Sequence, residues 1–127
     1  MRLTLFSFIF ASIISFSFTP DMIDDVSTAI RSGNSKNIST YCIENIDLKI
    51  IEQGGVYSKQ QAEMILKDFF AKHPVKSFEI AHKSAPKNGS QYIIGTLETT
   101  KGRFRIYFLS KTEGTKTLIE QFRIENE

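Results

Sequence analysis

The chain has 127 residues, with 16 lysines and arginines against 14 aspartates and glutamates, a formal charge of +2, and one cysteine. The near balance of charge removes the electrostatic case for nucleic acid or an anionic membrane as partner. A single cysteine excludes an internal disulfide, so packing must stabilise a chain whose length suits one domain.

Residues 1–18, MRLTLFSFIFASIISFSF, place one charge, Arg2, ahead of an apolar run from Leu3 to Phe18. Acidic groups are absent, and Ser15 and Ser17 stand at the minus-three and minus-one positions of a cut after Ser17, the pattern of a removed export signal. At about 1.5 Å per residue the run reaches about 24 Å, short of the roughly 30 Å hydrocarbon core that a retained anchor must cross. The expectation is a signal peptide at 1–17 and one exported domain at 18–127, periplasmic or secreted, with no membrane attachment after cleavage. Cys42 lies too far from the run to be the lipid-modified first residue of a lipoprotein.

In TPDMIDDVSTAIRSGN, Thr19 can cap a helix, Pro20 fits its first position, and Asp21, Asp24 and Asp25 suit the positive end of its dipole. Met22, Ile23, Val26, Ala29 and Ile30 recur at helical spacing, and Gly33 supplies the stop. A shorter helix is predicted from about Ser35, with Ile38 and Tyr41 on one side. Cys42, between Tyr41 and Ile43, reads as a small buried side chain, since no activating base is near in sequence. The strand IDLKII follows, with Ile46, Leu48 and Ile50 on one face, and Gly54 and Gly55 are expected to break it.

Ser58-Lys59-Gln60-Gln61 matches a capping box, so a helix should start there and run to about His73. Ala62, Ile65, Leu66, Phe69 and Phe70 form its apolar stripe, and Pro74 forces the exit. Asp68 and His73 read as ordinary helix-surface and helix-terminus residues. Four strand-like stretches complete the chain: 75–83, 91–99, 103–111 and 118–125. Asn88-Gly89, Lys101-Gly102 and Glu113-Gly114 mark the turns, so an antiparallel meander is predicted. In the third stretch Phe104, Ile106 and Phe108 oppose Arg103, Arg105, Tyr107 and Leu109. In the last, Leu118, Glu120, Phe122 and Ile124 oppose Ile119, Gln121 and Arg123.

This order of elements resembles the nuclear transport factor 2-like cone, an α+β fold in which N-terminal helices and one long helix pack on a curved antiparallel sheet. Within it, the segments IRSGNSKNIS, IDLKIIEQGGVYSKQQAEMILKDFFAKHPVKSF and NGSQYIIGTLETTKGRFRIYF are similar to a family of small exported bacterial proteins of unknown function. The resemblance implies the cone, an export signal and no assigned activity, and brings no catalytic residues with it. The wider superfamily holds isomerases and dehydratases as well as members that only bind.

An enzyme on this scaffold needs an acid or base facing the cavity and a second polar group aimed at the developing charge. His82, Glu98, Tyr107 and Glu120 are the strand residues that could take those places. The expected function is instead non-catalytic: an apolar small ligand held in the cone, or a protein interaction, with an isomerase- or dehydratase-type enzyme as the alternative. Arg103, Arg105, Leu109, Gln121 and Arg123, with Tyr107, form a mixed face suited to a homodimer through the sheet, since arginine and tyrosine are enriched at interfaces. No metal site or cofactor is expected. Gly54-Gly55 lacks the lysine-bearing spacing of a phosphate loop and the wider glycine pattern of a dinucleotide site.

Overall fold

The computed structural model describes residues 21–127. The expected export signal, Thr19 and Pro20 lie outside them. The elements in chain order are α1 (Met22–Arg31), α2 (Ser35–Thr40), β1 (Cys42–Ile50), β2 (Gln53–Ser58), α3 (Lys59–Lys72), β3 (Val75–Lys83), β4 (Ser90–Thr99), β5 (Gly102–Glu113) and β6 (Lys116–Asn126).

Asp21 stands at the N-cap of α1, and Asp24 and Asp25 occupy its first turn, where the dipole favours negative charge. Ile23, Val26, Ala29 and Ile30 are buried along one side. Gly33 adopts φ 61°, which lets its amide and that of Asn34 turn back to the carbonyls of Ile30 and Ala29 at 3.0 and 2.8 Å, closing the helix end. Asn34 then caps α2 by accepting from the Asn37 amide at 3.0 Å. At α3 both halves of the capping box form: Ser58 Oγ accepts from the Gln61 amide, and Gln61 Oε1 accepts from the Ser58 amide.

One expectation fails at Gly54 and Gly55, which lie inside β2 rather than ending the chain's pairing. The turn comes earlier, at Ile51-Glu52, between the paired Ile50 and Gln53. Ile51 sits at φ 56°, an uncommon conformation for a β-branched residue. Its amide donates to the Ile124 carbonyl at 2.7 Å, and its side chain packs against the core. Glycines carry no side chain whose alternation could announce a strand, so β2 left no periodic signal.

The six strands order as β2-β1-β6-β5-β4-β3, antiparallel throughout except β1 with β6. The predicted meander is thus β3 to β6, and its last strand closes beside β1. A second expectation fails in β6. Pairing steps from Leu109↔Gln121 to Ser110↔Ile119, so Glu120 is the extra residue of a bulge and the alternation inverts there. Ile119 is consequently fully buried, not on the reverse face.

Helices cover one face of the curved sheet. Between them lie Phe78, Phe108 and Phe122, the bulkiest of the fully buried side chains, with Ile30, Ile38, Ile46, Leu48, Leu66 and Ile106. The space a cone could offer a ligand is occupied by the protein's own rings.

Candidate functional site: the open face of the sheet

The face turned away from the helices is built by strict alternation. In β4, Ile93, Gly95, Leu97 and Thr99 are buried, so Tyr92, Ile94, Thr96 and Glu98 point outward. In β5, Phe104, Ile106, Phe108 and Ser110 are buried, leaving Arg103, Arg105, Tyr107 and Leu109 outside. The register aligns these into rows. Ile94 faces Tyr107, Tyr107 faces Arg123, and Arg123 faces Lys49 of β1. The adjacent row runs Tyr92, Leu109, Gln121 and Asp47.

Three rings and a guanidinium cross four strands on this face. His82 and Tyr92 have centroids 5.7 Å apart, and Tyr92 stacks on Tyr107 at 6.0 Å with 29° between planes. The Arg123 guanidinium carbon lies 5.9 Å from the Tyr107 centroid, within range of a cation–π attraction worth roughly 0.5–1 kcal/mol at a partly exposed site. Arg123 Nε is shielded from solvent yet has no hydrogen-bond partner among the described residues. A buried donor of this kind is costly, so the guanidinium is held against the sheet by its neighbours rather than by a hydrogen bond at this nitrogen.

Of the four residues considered for a cavity, three face away from it. Tyr107 is the middle of the strip, and His82 is its exposed end. Glu98 lies at the rim, bridged to Arg103 at 3.2 Å and accepting from Ser77 Oγ at 3.4 Å. Glu120 is the bulge residue. The four do not converge on a cavity, because β4 and β5 turn their apolar residues inward and the polar ones follow to the outside. The other five, Arg103, Arg105, Leu109, Gln121 and Arg123, do share one face. Tyr92, Ile94, Asp47 and Lys49 join them unpredicted. Tyr92 and Ile94 were legible from alternation with the core residues of their strand, whereas Asp47 and Lys49 enter only through the parallel pairing of β1 with β6.

Elsewhere, ionisation is displaced at Tyr41 and Cys42. Tyr41 Oη donates to Asp25 Oδ2 at 2.8 Å, and that bond, with burial and the Asp25 charge, raises the phenol above its ordinary value. Burial pushes the Cys42 thiol up to about 12, against a smaller lowering by Lys59. Both shifts favour the protonated form, the opposite of what a nucleophile needs. His73 closes α3, its Nδ1 2.8 Å from the Phe69 carbonyl and its ring stacked on Phe69. Among the described residues no group of histidine, cysteine or carboxylate side chains converges to hold a metal, and no helix is long and apolar enough to cross a membrane.

Helices on one face of a curved, largely antiparallel six-stranded sheet define the class as a nuclear transport factor 2-like, or cystatin-like, fold. A domain with a cystatin-like fold from Nostoc punctiforme matches with TM-score 0.64 at 10% identity, over 81% of this chain and 71% of that one. A substituted variant named after nuclear transport factor 2 matches with TM-score 0.64 at 16% identity, over 80% and 91%. Within the class, the profile described as "Domain of unknown function (DUF4783)" matches residues 23–125, and the chain belongs to that family. A family member from Bacteroides uniformis is 30% identical, with TM-score 0.78 over 84% of this chain and 98% of its own. No curated protein matches the chain.

Proposed function

We propose that this is an exported, non-catalytic interaction module that binds another protein through the open face of its sheet. The observation that carries the reading is the Tyr92–Tyr107–Arg123 strip, two stacked rings on the open face with a guanidinium beside the second. Tyrosine and arginine are the residues that most often anchor interfaces. A partner carboxylate set over the Arg123 guanidinium would pair with its charge while the partner covers Tyr107, Ile94 and Leu109. The packed interior weighs against the apolar-ligand form of the expected function.

Charge selects the kind of partner. Arg123 and Lys49 share the central row with Tyr107, while Arg105 lies in the next row opposite Glu125, and Asp47 in the row on the other side. The central row carries two cations and no acid, so a second copy that laid this row on its own counterpart would oppose cation to cation, whereas a carboxylate set over it is attracted. The reading therefore favours a different protein that sets a carboxylate over this row, rather than the sheet-to-sheet homodimer expected from the sequence. Export to the periplasm or beyond, resting on the leader-like residues 1–17, places that partner outside the cytoplasm.

Photo-crosslinking in the exporting bacterium tests this. A benzophenone side chain at Leu109 should yield an adduct of the chain with a different protein, lost when Arg123→Glu is added. The same group at exposed Lys36 on α2 should not. Equal adducts from both positions, none from Leu109, or an adduct of two copies would overturn the reading.

A further inference from the structure

The sheet has two free edges, β2 and β3, and the chain treats them differently. β3 carries Lys76 and Lys83, its register is interrupted at Ala81, and Arg31 of α1 donates Nε to the Phe78 carbonyl at 3.0 Å. Charge, a bulge and a capped carbonyl each obstruct the addition of another strand. β2 has none of these. It reads Gln53-Gly54-Gly55-Val56-Tyr57-Ser58, uncharged and in unbroken register with β1, and Val56 is 70% exposed.

The hairpin geometry says which backbone groups of that edge are free. A two-residue turn is closed by a pair that exchanges both hydrogen bonds, here Ile50 and Gln53, and bonded pairs recur at every second position, at Leu48↔Gly55 and Ile46↔Tyr57. The amides and carbonyls of Gly54 and Val56 therefore point away from β1. Ser58 is next in that set, but its amide is already held by Gln61 Oε1 at 3.1 Å.

We propose that β2 pairs antiparallel with β2 of a second copy of this chain, about a two-fold axis at Gly55, joining two six-stranded sheets edge to edge. The free groups choose this register. Gly54 of one copy meets Val56 of the other and each pair exchanges both its bonds, so all outward groups of Gly54 and Val56 are used. Centring the axis on Val56 instead would set Gly54 against Ser58, whose amide is taken. At the axis the two Gly55 residues form a non-bonded pair, in which Cα atoms approach to about 4.5 Å. Glycine suits that closeness, and the Tyr57 ring already lies over it, 3.4 Å from where a Cβ would stand.

Two further features fit a second copy as the occupant. The uncharged strand is flanked by Glu52 on one side and Lys59 on the other, so antiparallel self-pairing sets Glu52 of each copy beside Ser58-Lys59 of its mate, opposite charge near opposite charge. The axis is perpendicular to the sheet, so both α3 helices fall on the same side of the joined strands. There Tyr57, Gln60, Gln61, Met64 and Ile65 outline a groove of about 450 Å³, and Met64 is 61% exposed. Across the axis these apolar groups meet their own copies and leave water. Both open faces remain uncovered on the opposite side, so the dimer presents its binding strip twice, a gain in avidity for any partner with paired sites. The edge pairing stands independently of what binds there.

The test is sedimentation equilibrium of the exported protein over a concentration series, with hydrogen exchange on the same samples. The native chain should be dimeric, with the Gly54 and Val56 amides slowed as the dimer forms. Val56→Pro removes an outward amide that β1 does not use and should raise the dissociation constant at least tenfold while preserving the far-ultraviolet circular dichroism. Val56→Lys, which keeps the amide but adds like charge near the axis, should weaken the dimer in the same direction and serves should the proline variant not fold. A monomer at every concentration, solvent-rate exchange at Gly54 and Val56, or a dimer broken by Leu109→Arg and not by the Val56 variants would overturn the proposal.

Discussion

Phe122→Ala is expected to lower the free energy of unfolding by about 3–5 kcal/mol, the range for truncating a buried phenylalanine. Phe122 is fully buried. It sits on β6 between Phe108 of β5 and Leu48 of β1, its ring nearly parallel to that of Phe108 with centroids 6.1 Å apart. Strands hydrogen-bonded on both sides hold those neighbours in place, so the void cannot easily collapse and the cavity adds to the lost transfer energy. Domains of this size are commonly stable by about 5–15 kcal/mol, so the variant should lose a large share of that margin. Urea titration measures it. A loss below about 1 kcal/mol would mean that the sheet–helix interior is looser than the packing described.

Gly95→Ala should destabilise by about 1–3 kcal/mol or more, although alanine is the smallest possible addition. Gly95 is not needed for its backbone conformation. It is needed for space: a Cβ there would stand 2.3 and 2.4 Å from the Cε2 and Cζ atoms of Phe78 and 2.9 Å from the Glu79 carbonyl oxygen. Phe78 is itself buried and cannot swing outward, and the Glu79 carbonyl belongs to the neighbouring strand. Glycine within a strand often marks such a close approach. Phe78→Leu should recover part of the loss in the Gly95→Ala background while costing stability alone, the signature of two residues competing for one volume. Strict additivity in the denaturation midpoints would contradict the contact.

Much of this fold was legible because local chemistry and global packing agree. The capping box at Ser58 and Gln61 marked α3 to the residue, and glycine turns at Gly102 and Gly114 delimited β5 on both sides. What escaped was set by contacts distant in sequence or by missing side chains. β2 could not be read through two glycines, and the left-handed turn at Ile51 is stabilised by a bond to Ile124, far along the chain. The bulge at Glu120 gives no local sign, yet it moves Ile119 from the outer face into the core.

The candidate site divides in the same way. Alternation in β5 was enough to place Arg103, Arg105, Tyr107 and Leu109 on one face. It was not enough to show that His82 and Tyr92 continue the strip, which depends on the registers of β3 with β4 and of β4 with β5. Nor could it show that Arg123 Nε is left without an acceptor, which depends on every neighbour at once. Reading His82, Glu98 and Tyr107 as cavity residues fails because the apolar triplet Phe104, Ile106 and Phe108 decides which side the helices cover. The polar residues between and beside them then turn outward.

Native mass spectrometry of the protein purified from its native host, sprayed gently and again after denaturation, tests most directly whether binding belongs to the outside of the sheet and not to its interior. The expected masses are those of a chain beginning near Phe18, alone or in protein assemblies, with no small molecule released on unfolding. A small molecule that survives gentle spraying, and is shed only when the chain unfolds, would contradict the filled interior and return the function to a ligand held within the cone.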